Sequence, residues 1–416
     1  MQQEYTARAE RIMQRIQQLA AISEDANGVT RTFGTPAFLE GRALVQRWLE
    51  AAGLPTRVDS IGNLRARLAS SNPAAKTFVL ASHIDTVVNA GKFDGPLGVL
   101  MGLDLLESLI DQKAALPFHI ELIAFSDEEG VRFHTTYLGS KVVTGAFDQA
   151  LLARCDAAGI SLAQAIGAMG GNAGQLAQDA IPAAEWLGYF ETHIEQGPVL
   201  WGCNVPVALV TAIAGQRRVE LTFRGMAGHA GTVPMAMRQD ALCAAAEFVL
   251  TAEQFAQVHG QGLVATVGKL AVAHAASNVI PGEVTCSLDL RSPDEQQLAQ
   301  AYEFLRSHAE ASALHRNVML DWQLVQQTAP VACDAGLNTL LAQAIAASGH
   351  ETISLVSGAG HDAVPVSFVA PATMLFIRCY KGISHNPLEN VELTDLTAAV
   401  AVADRFLYEL RINNEE

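Results

Sequence analysis

Apolar residues recur along this chain at two spacings, and the changes from one to the other mark its elements. Ile12, Ile16, Leu19 and Ile22 fall at helical spacing among Glu, Arg and Gln, so the chain opens with an amphipathic helix. A second helical pattern covers 36–53, and short strands are expected at 55–58 and 63–68. Phe78, Val79 and Leu80 then form a compact apolar run, the pattern of a buried strand. The chain turns polar at His83 and Asp85 and enters a Gly-rich loop that carries Asp94. A helix over 97–109 follows, then a strand over 118–125 that ends in Ser126-Asp127-Glu128-Glu129-Gly130. The small, Gly-rich stretch 167–174 reads as a loop. A strand over 187–194 carries Glu191 and His193, with Glu195 just beyond, and another strand lies at 205–212. Strands alternating with helices predict an α/β layer with a largely parallel centre.

Between 213 and 326 the pattern changes. Val219, Leu221 and Phe223 alternate with Glu220 and Thr222, a half-exposed strand. A turn rich in Gly (Gly225, Gly228, Gly231), a helix over 240–254 and strands over 263–267 and 283–291 come next. A helix over 294–311 and a strand over 317–324 close the unit, giving βαββαβ, a ferredoxin-like insertion. Helix, strand and helix after 329 return to the first layer. The expected fold is therefore α/β: a mixed-sheet domain with helices on both faces, built from 1–212 and 327–416, with the inserted domain at 213–326.

Composition adds limits rather than detail. A chain of 416 residues is too long for one ordinary core, which agrees with two domains. The formal net charge of −16 argues against nucleic acid or an anionic membrane as partner. A small anionic substrate stays possible, because a few placed arginines suffice to hold one. The six cysteines are scattered with no C-x-x-C, the usage of reduced thiols in a cytosolic protein. With no secretory apolar segment at the start and no apolar run long enough for a bilayer, the expected location is cytoplasmic.

The candidate chemistry sits at strand ends. His83 follows a buried strand, and Asp85 is placed to accept its second ring N–H and fix the imidazole. Glu128 and Glu129 are neighbours at another strand end, so their side chains diverge; one can ligate a metal while the other faces an attacking water as general base. His193 lies late on its strand, and His385 follows an apolar strand in GISHNP. Each piece has a bland reading: an acidic turn, a structural imidazole, a surface histidine. Against that, all of them fall at expected strand ends of one domain. His83, Asp94, Glu129, His193 and His385 supply three imidazoles and two carboxylates, a set suited to two metal ions sharing one carboxylate. Such ligands suit zinc or manganese, and also cobalt or nickel. His119, His134, His259, His274, His308, His315 and His350 form no comparable arrangement and read as ordinary.

The motifs GKFDG, SDEEGVRF with LGS, HIEQGP, GHAGTVPM, ASNVIPG, SGAGHDA and GISHNP occur in that order. Together they resemble the hydantoinase/carbamoylase branch of the binuclear metallo-amidohydrolases, relatives of zinc aminoacylases and carboxypeptidases. The resemblance runs over nearly the whole chain. It implies that Asp94 bridges two divalent metals, that His83 and His193 complete one site, and that Glu129 and His385 complete the other. It implies Glu128 as the base, Asp85 as the residue orienting His83, and Gln196 near the reacting group. The inserted domain becomes a lid and homodimerisation domain, with His229 reaching across the dimer to stabilise an oxyanion. Asn278 and Arg291 would hold a substrate carboxylate, which suits the planar guanidinium fork on the polar face of its strand. Gly360 and His361 would line the pocket. The family implies a small ureido carboxylate as substrate, hydrolysed to ammonia and carbon dioxide. The wording of IAFSDEEGVRF, GHAGTVPMAMRQD and MLFIRCYKGISH is most similar to allantoate amidohydrolases, so allantoate is expected first. An N-carbamoyl-L-amino acid, a β-ureido acid or ureidoglycolate is the alternative. A peptidase, or an inactive binding protein on the same fold, is the reading from another class.

Overall fold

The computed structural model describes residues 2–260 and 262–414. The chain divides into two compact units. One holds residues up to Thr211, Cys333–Leu355 and those from Gly360 onward; the other holds Ala212–Ala332 and Val356–Ala359.

The first unit is built on a mixed sheet. Across it run Thr56–Val58, Leu64–Leu68, His119–Phe125, Thr77–His83, Trp186–Ile194, Ala372–Ile377 and Val207–Ile213. The central pairings, Thr77–His83 with both neighbours and Trp186–Ile194 with Ala372–Ile377, are parallel, and the flanking pairs are antiparallel. Thr77–His83 and His119–Phe125 are buried at every residue, as strands covered on both faces must be. Helices Gln2–Ala20, Pro96–Asp111, Ala335–Ala347 and Leu393–Ile412 pack on this core. Phe78, Phe190 and Phe406 meet between sheet and helix with ring centroids 4.7 and 6.2 Å apart. Each side chain of that size contributes about 1.5–3 kcal/mol on burial. Asp104, buried in the helix Pro96–Asp111, is matched by Arg8 at 2.8 Å and Arg11 at 2.6 Å, so the first helix is tied by charge as well as by its apolar stripe.

In the inserted unit Met319–Thr328, Gly215–Arg224, Glu283–Ser292 and Leu270–Val272 lie side by side, all antiparallel, with Val264–Thr266 also on Glu283–Ser292. Helices Ala241–His259 and Glu295–His315 cover the face carrying Val219, Leu221, Phe223, Val284, Cys286, Leu288 and Leu290. This is the ferredoxin-like arrangement.

Two local expectations change. The strand expected to stop at Leu324 continues past a bulge to Thr328, and Val331–Ala332 pairs with Ile213 and Ala212. Gln326, Gln327 and Thr328 carry no apolar alternation, so backbone pairing outlasts the side-chain pattern. The expected strand 263–267 is found at Val264–Thr266, and a further short strand, Leu270–Val272, follows it after a stretch containing Gly268. The expected loop 167–174 begins inside the helix Leu162–Ala168, whose start is a capping box of Ser161 and Gln164. Among the described residues no helix is long and apolar enough to cross a membrane.

Candidate metal centre

The parallel strands all point their C-terminal ends to one side of the sheet, and the chemistry is found there. His83 ends Thr77–His83, Glu128 and Glu129 follow His119–Phe125, and His193 lies at the end of Trp186–Ile194. His385 is in the loop after Ala372–Ile377. Asp94 reaches them because of Gly95, which has φ +82°. A Cβ there would stand 2.4 Å from His83 Cε1, so only glycine lets this loop lie against the imidazole.

Asp94 is 3% exposed and stands between the histidines. Its Oδ1 is 3.1 Å from His193 Nε2 and 3.5 Å from His83 Nε2. Its other oxygen, Oδ2, is 3.2 Å from His385 Nε2, which is itself 3.5 Å from Glu129 Oε1. The ligand atoms thus form two groups that share one carboxylate: His83, Asp94 and His193, and Asp94, Glu129 and His385, with the atoms of each within 4.8 Å of one another.

The outer nitrogens of two rings are already used. His83 Nδ1 donates to the Asp85 carbonyl oxygen at 3.0 Å, and His193 Nδ1 to that of Ile194 at 2.9 Å. That fixes each ring with Nε2 turned inward, the setting of a metal-binding imidazole. His193 Nε2 is buried and makes no hydrogen bond, and neither does the buried Gln196 Oε1. Buried polar atoms left unpaired are costly, and a bare His193 Nε2 turned toward Asp94 fits a divalent ion there. Gln196 and His385 also hold left-handed backbone, with φ 59° and 53°. Strain of that kind costs about 1–3 kcal/mol per residue and collects at functional sites.

A family model described as peptidase family M20/M25/M40 matches residues 79–409, the span that holds every one of these groups. The chain belongs to this family. Over 426 residues it is 37% identical to the allantoate deiminase of Arabidopsis thaliana, covering 94% of this chain and 81% of that protein. It is 38% identical over 381 residues to an N-carbamoyl-L-amino acid amidohydrolase of Geobacillus stearothermophilus, covering 91% and 93%. The crystal structure of a hydantoinase/carbamoylase family amidase from Burkholderia multivorans superposes with a TM-score of 0.91 at 33% identity, covering 97% and 98% of the two chains.

Within this M20 chain Asp85 meets the His83 ring as expected, but through a different atom. Its carbonyl, not its carboxylate, is the nearer partner of His83, the carboxylate being 3.5 Å away. The carboxylate instead accepts the backbone N–H groups of Glu128 and Glu129, both at 3.1 Å. It thereby sets the turn that presents the two acids. Glu195, just beyond the strand, caps the backbone of Val199 and Leu200 with its carboxylate, while Glu191 takes hydrogen bonds from Ser82 and Tyr189.

Gln196 donates to Asp94 Oδ2 at 2.7 Å. His361 is buried with its ring centroid 4.6 Å from that of His193, and Gly360 leaves room for the Tyr137 hydroxyl, 1.7 Å from where a Cβ would sit. His229 and Asn278 belong to the inserted unit, at a two-strand ribbon of Gly228–His229 and Val279–Ile280. Arg291 is there too, lining a cavity of about 870 Å³ with Arg218, Lys269 and Asp289. Two of its nitrogens donate to Asp289, at 2.8 and 3.0 Å, and a third to the Gly358 carbonyl at 2.6 Å.

Sequence reasoning passed over Asp127, Asp362, Ser384 and Glu389. Burial, with neighbouring carboxylates adding to it, holds Asp127 and Asp362 well above the usual carboxylate range, and each keeps one oxygen unpartnered. Asp362 adjoins His361 in SGAGHDA and Asp127 adjoins Glu128, so adjacency to a candidate was the only signal available.

Burial also raises Glu128 well above its ordinary value, with His83 opposing and Glu129, Asp362 and Asp85 adding. Burial works against the Asp94 anion, but the facing imidazoles of His193, His385 and His83 outweigh it and hold the carboxyl well below its usual range. The bond to Asp94 pushes His385 up to about 9, and burial, with Asp94 adding, pushes Glu129 up to about 7. Without metal, His385 is therefore charged at neutral pH and Glu129 partly protonated. A metal takes the neutral imidazole and the ionised carboxylate. Metal uptake is expected to release protons at neutral pH, and affinity to rise as pH rises toward about 9. Calorimetry in two buffers of different ionisation enthalpy checks this; an apparent enthalpy independent of buffer would overturn it.

Proposed function

We propose that this chain is a binuclear metal-dependent amidohydrolase acting on a C–N bond of a small ureido carboxylate, with allantoate as the first candidate substrate. The observation that carries the reading is the single Asp94 carboxylate with one oxygen toward His83 and His193 and the other toward His385. The curated relatives named for allantoate and for N-carbamoyl-L-amino acids support the substrate class.

Two divalent ions held by these residues supply Lewis acidity and lower the pKa of a bound water. Glu128, buried beside the ligand groups, accepts a proton from the attacking water and returns it to the leaving nitrogen. Asp85 keeps Glu128 and Glu129 in place through their amides. Water adds to the carbon, the C–N bond breaks, and the nitrogen leaves protonated. By the motif resemblance, Arg291 and Asn278 hold the substrate carboxylate and His229 of the partner subunit meets the developing negative charge. Homodimerisation through the inserted unit belongs to the same proposal; Leu250, Val258, Leu314 and Met319 of that unit are exposed. Closure of the unit as a lid and a cytoplasmic location are the remaining parts of it.

The test is ammonia release by zinc- or manganese-reconstituted protein on allantoate beside a panel of N-carbamoyl-L-amino acids. Faster release from allantoate is expected. Preference for the carbamoyl amino acids would keep the site and replace the substrate; silence on both with metal bound would overturn the reading.

A further inference from the structure

Glu389 is 2% exposed and makes no ion pair among the described residues. A carboxylate buried in this way needs hydrogen bonds to justify it. They come from the loop of the bridging aspartate. Glu389 Oε1 accepts the backbone N–H of Phe93 at 2.7 Å and of Asp94 at 3.1 Å. The Ser384 hydroxyl stands between the two acids, 3.2 Å from Glu389 Oε2 and 2.8 Å from Asp94 Oδ2. The side chain lies flat on the chain at Gly91, where a Cβ would be 2.3 Å from Glu389 Cβ. The loop that supplies His385 therefore also grips the loop that supplies Asp94.

The grip is one-sided. His83 and His193 stand at strand ends and are fixed by the carbonyls of Asp85 and Ile194, with no help from Glu389. Asp94 and His385 lie on the two loops that Glu389 joins. We infer that Glu389 is a positioning residue that sets the metal affinity of the Asp94–Glu129–His385 group selectively over that of the His83–Asp94–His193 group. This rests on the binuclear reading above.

The experiment titrates metal-free protein with zinc in competition with a chromophoric chelator. The wild-type protein is expected to take two equivalents. Glu389→Ala should keep one near wild-type affinity and weaken the other about 10–100-fold, the usual effect of losing an outer partner. Glu389→Gln should restore most of it, because its oxygen still accepts both amides and its NH2 donates to Ser384, leaving that hydroxyl proton for Asp94. If Glu389→Ala does not fold, Glu389→Asp, one methylene too short for the grip, should show the same split. Equal weakening of both equivalents, no weakening of either, or a Gln variant no better than Ala would overturn the inference. Fewer than two equivalents in the wild type would instead sink the binuclear reading.

Discussion

In the metal-loaded protein Glu128→Gln is expected to lower turnover by about 10²–10⁴-fold, the contribution of a positioned acid–base group. Glutamine fills the same volume and leaves the backbone bond to Asp85 intact. What it removes is an acceptor for the proton of the attacking water. Glu128 is only 7% exposed, so bulk water is poorly placed to substitute. The alternative role is a real one, because Glu128 groups with His83 and Glu129 within ligand distance. Metal content separates the two. Two equivalents retained with turnover lost supports the base; loss of an equivalent would make Glu128 a ligand, and normal turnover would remove it from the chemistry.

Asp94→Asn should cost more than either histidine alone. The change preserves shape but removes the one charge facing three imidazoles. Both ligand groups contain this residue, so both metals should be lost, and activity with them. Metal analysis after dialysis, beside His385→Ala, decides the matter. The histidine variant should keep one equivalent and the Asp94 variant none. An Asp94→Asn protein retaining one full equivalent would show that the carboxylate is not shared.

The candidate ligands were legible in the chain because metal chemistry at a strand end is locally written. An apolar run that breaks into His, Asp or Glu marks both a buried strand and a candidate for its chemistry. Residues 77–85, 118–129 and 187–193 all read this way. The inserted unit was legible for a similar reason, since alternation at 219–223 and 284–290 marks one buried face. Its edge was not, because the polar pairs of 326–328 are held by backbone bonds that carry no side-chain pattern.

Sequence by itself determined the fold class, the order of the elements and the residue types that converge at the strand ends, because hydrophobic period and strand-end polarity are properties of short stretches. Only the tertiary structure decided how those residues divide their work. The Asp85 carboxylate holds the Glu128–Glu129 amides rather than serving as the nearer partner of the His83 ring, one Asp94 oxygen faces each ligand group, and Glu389 grips a loop 295 residues away in the chain. Those assignments turn on which atoms lie about 3 Å apart, the range in which a hydrogen bond forms. Distances of that kind between remote residues arise only when the sheet has brought the loops together.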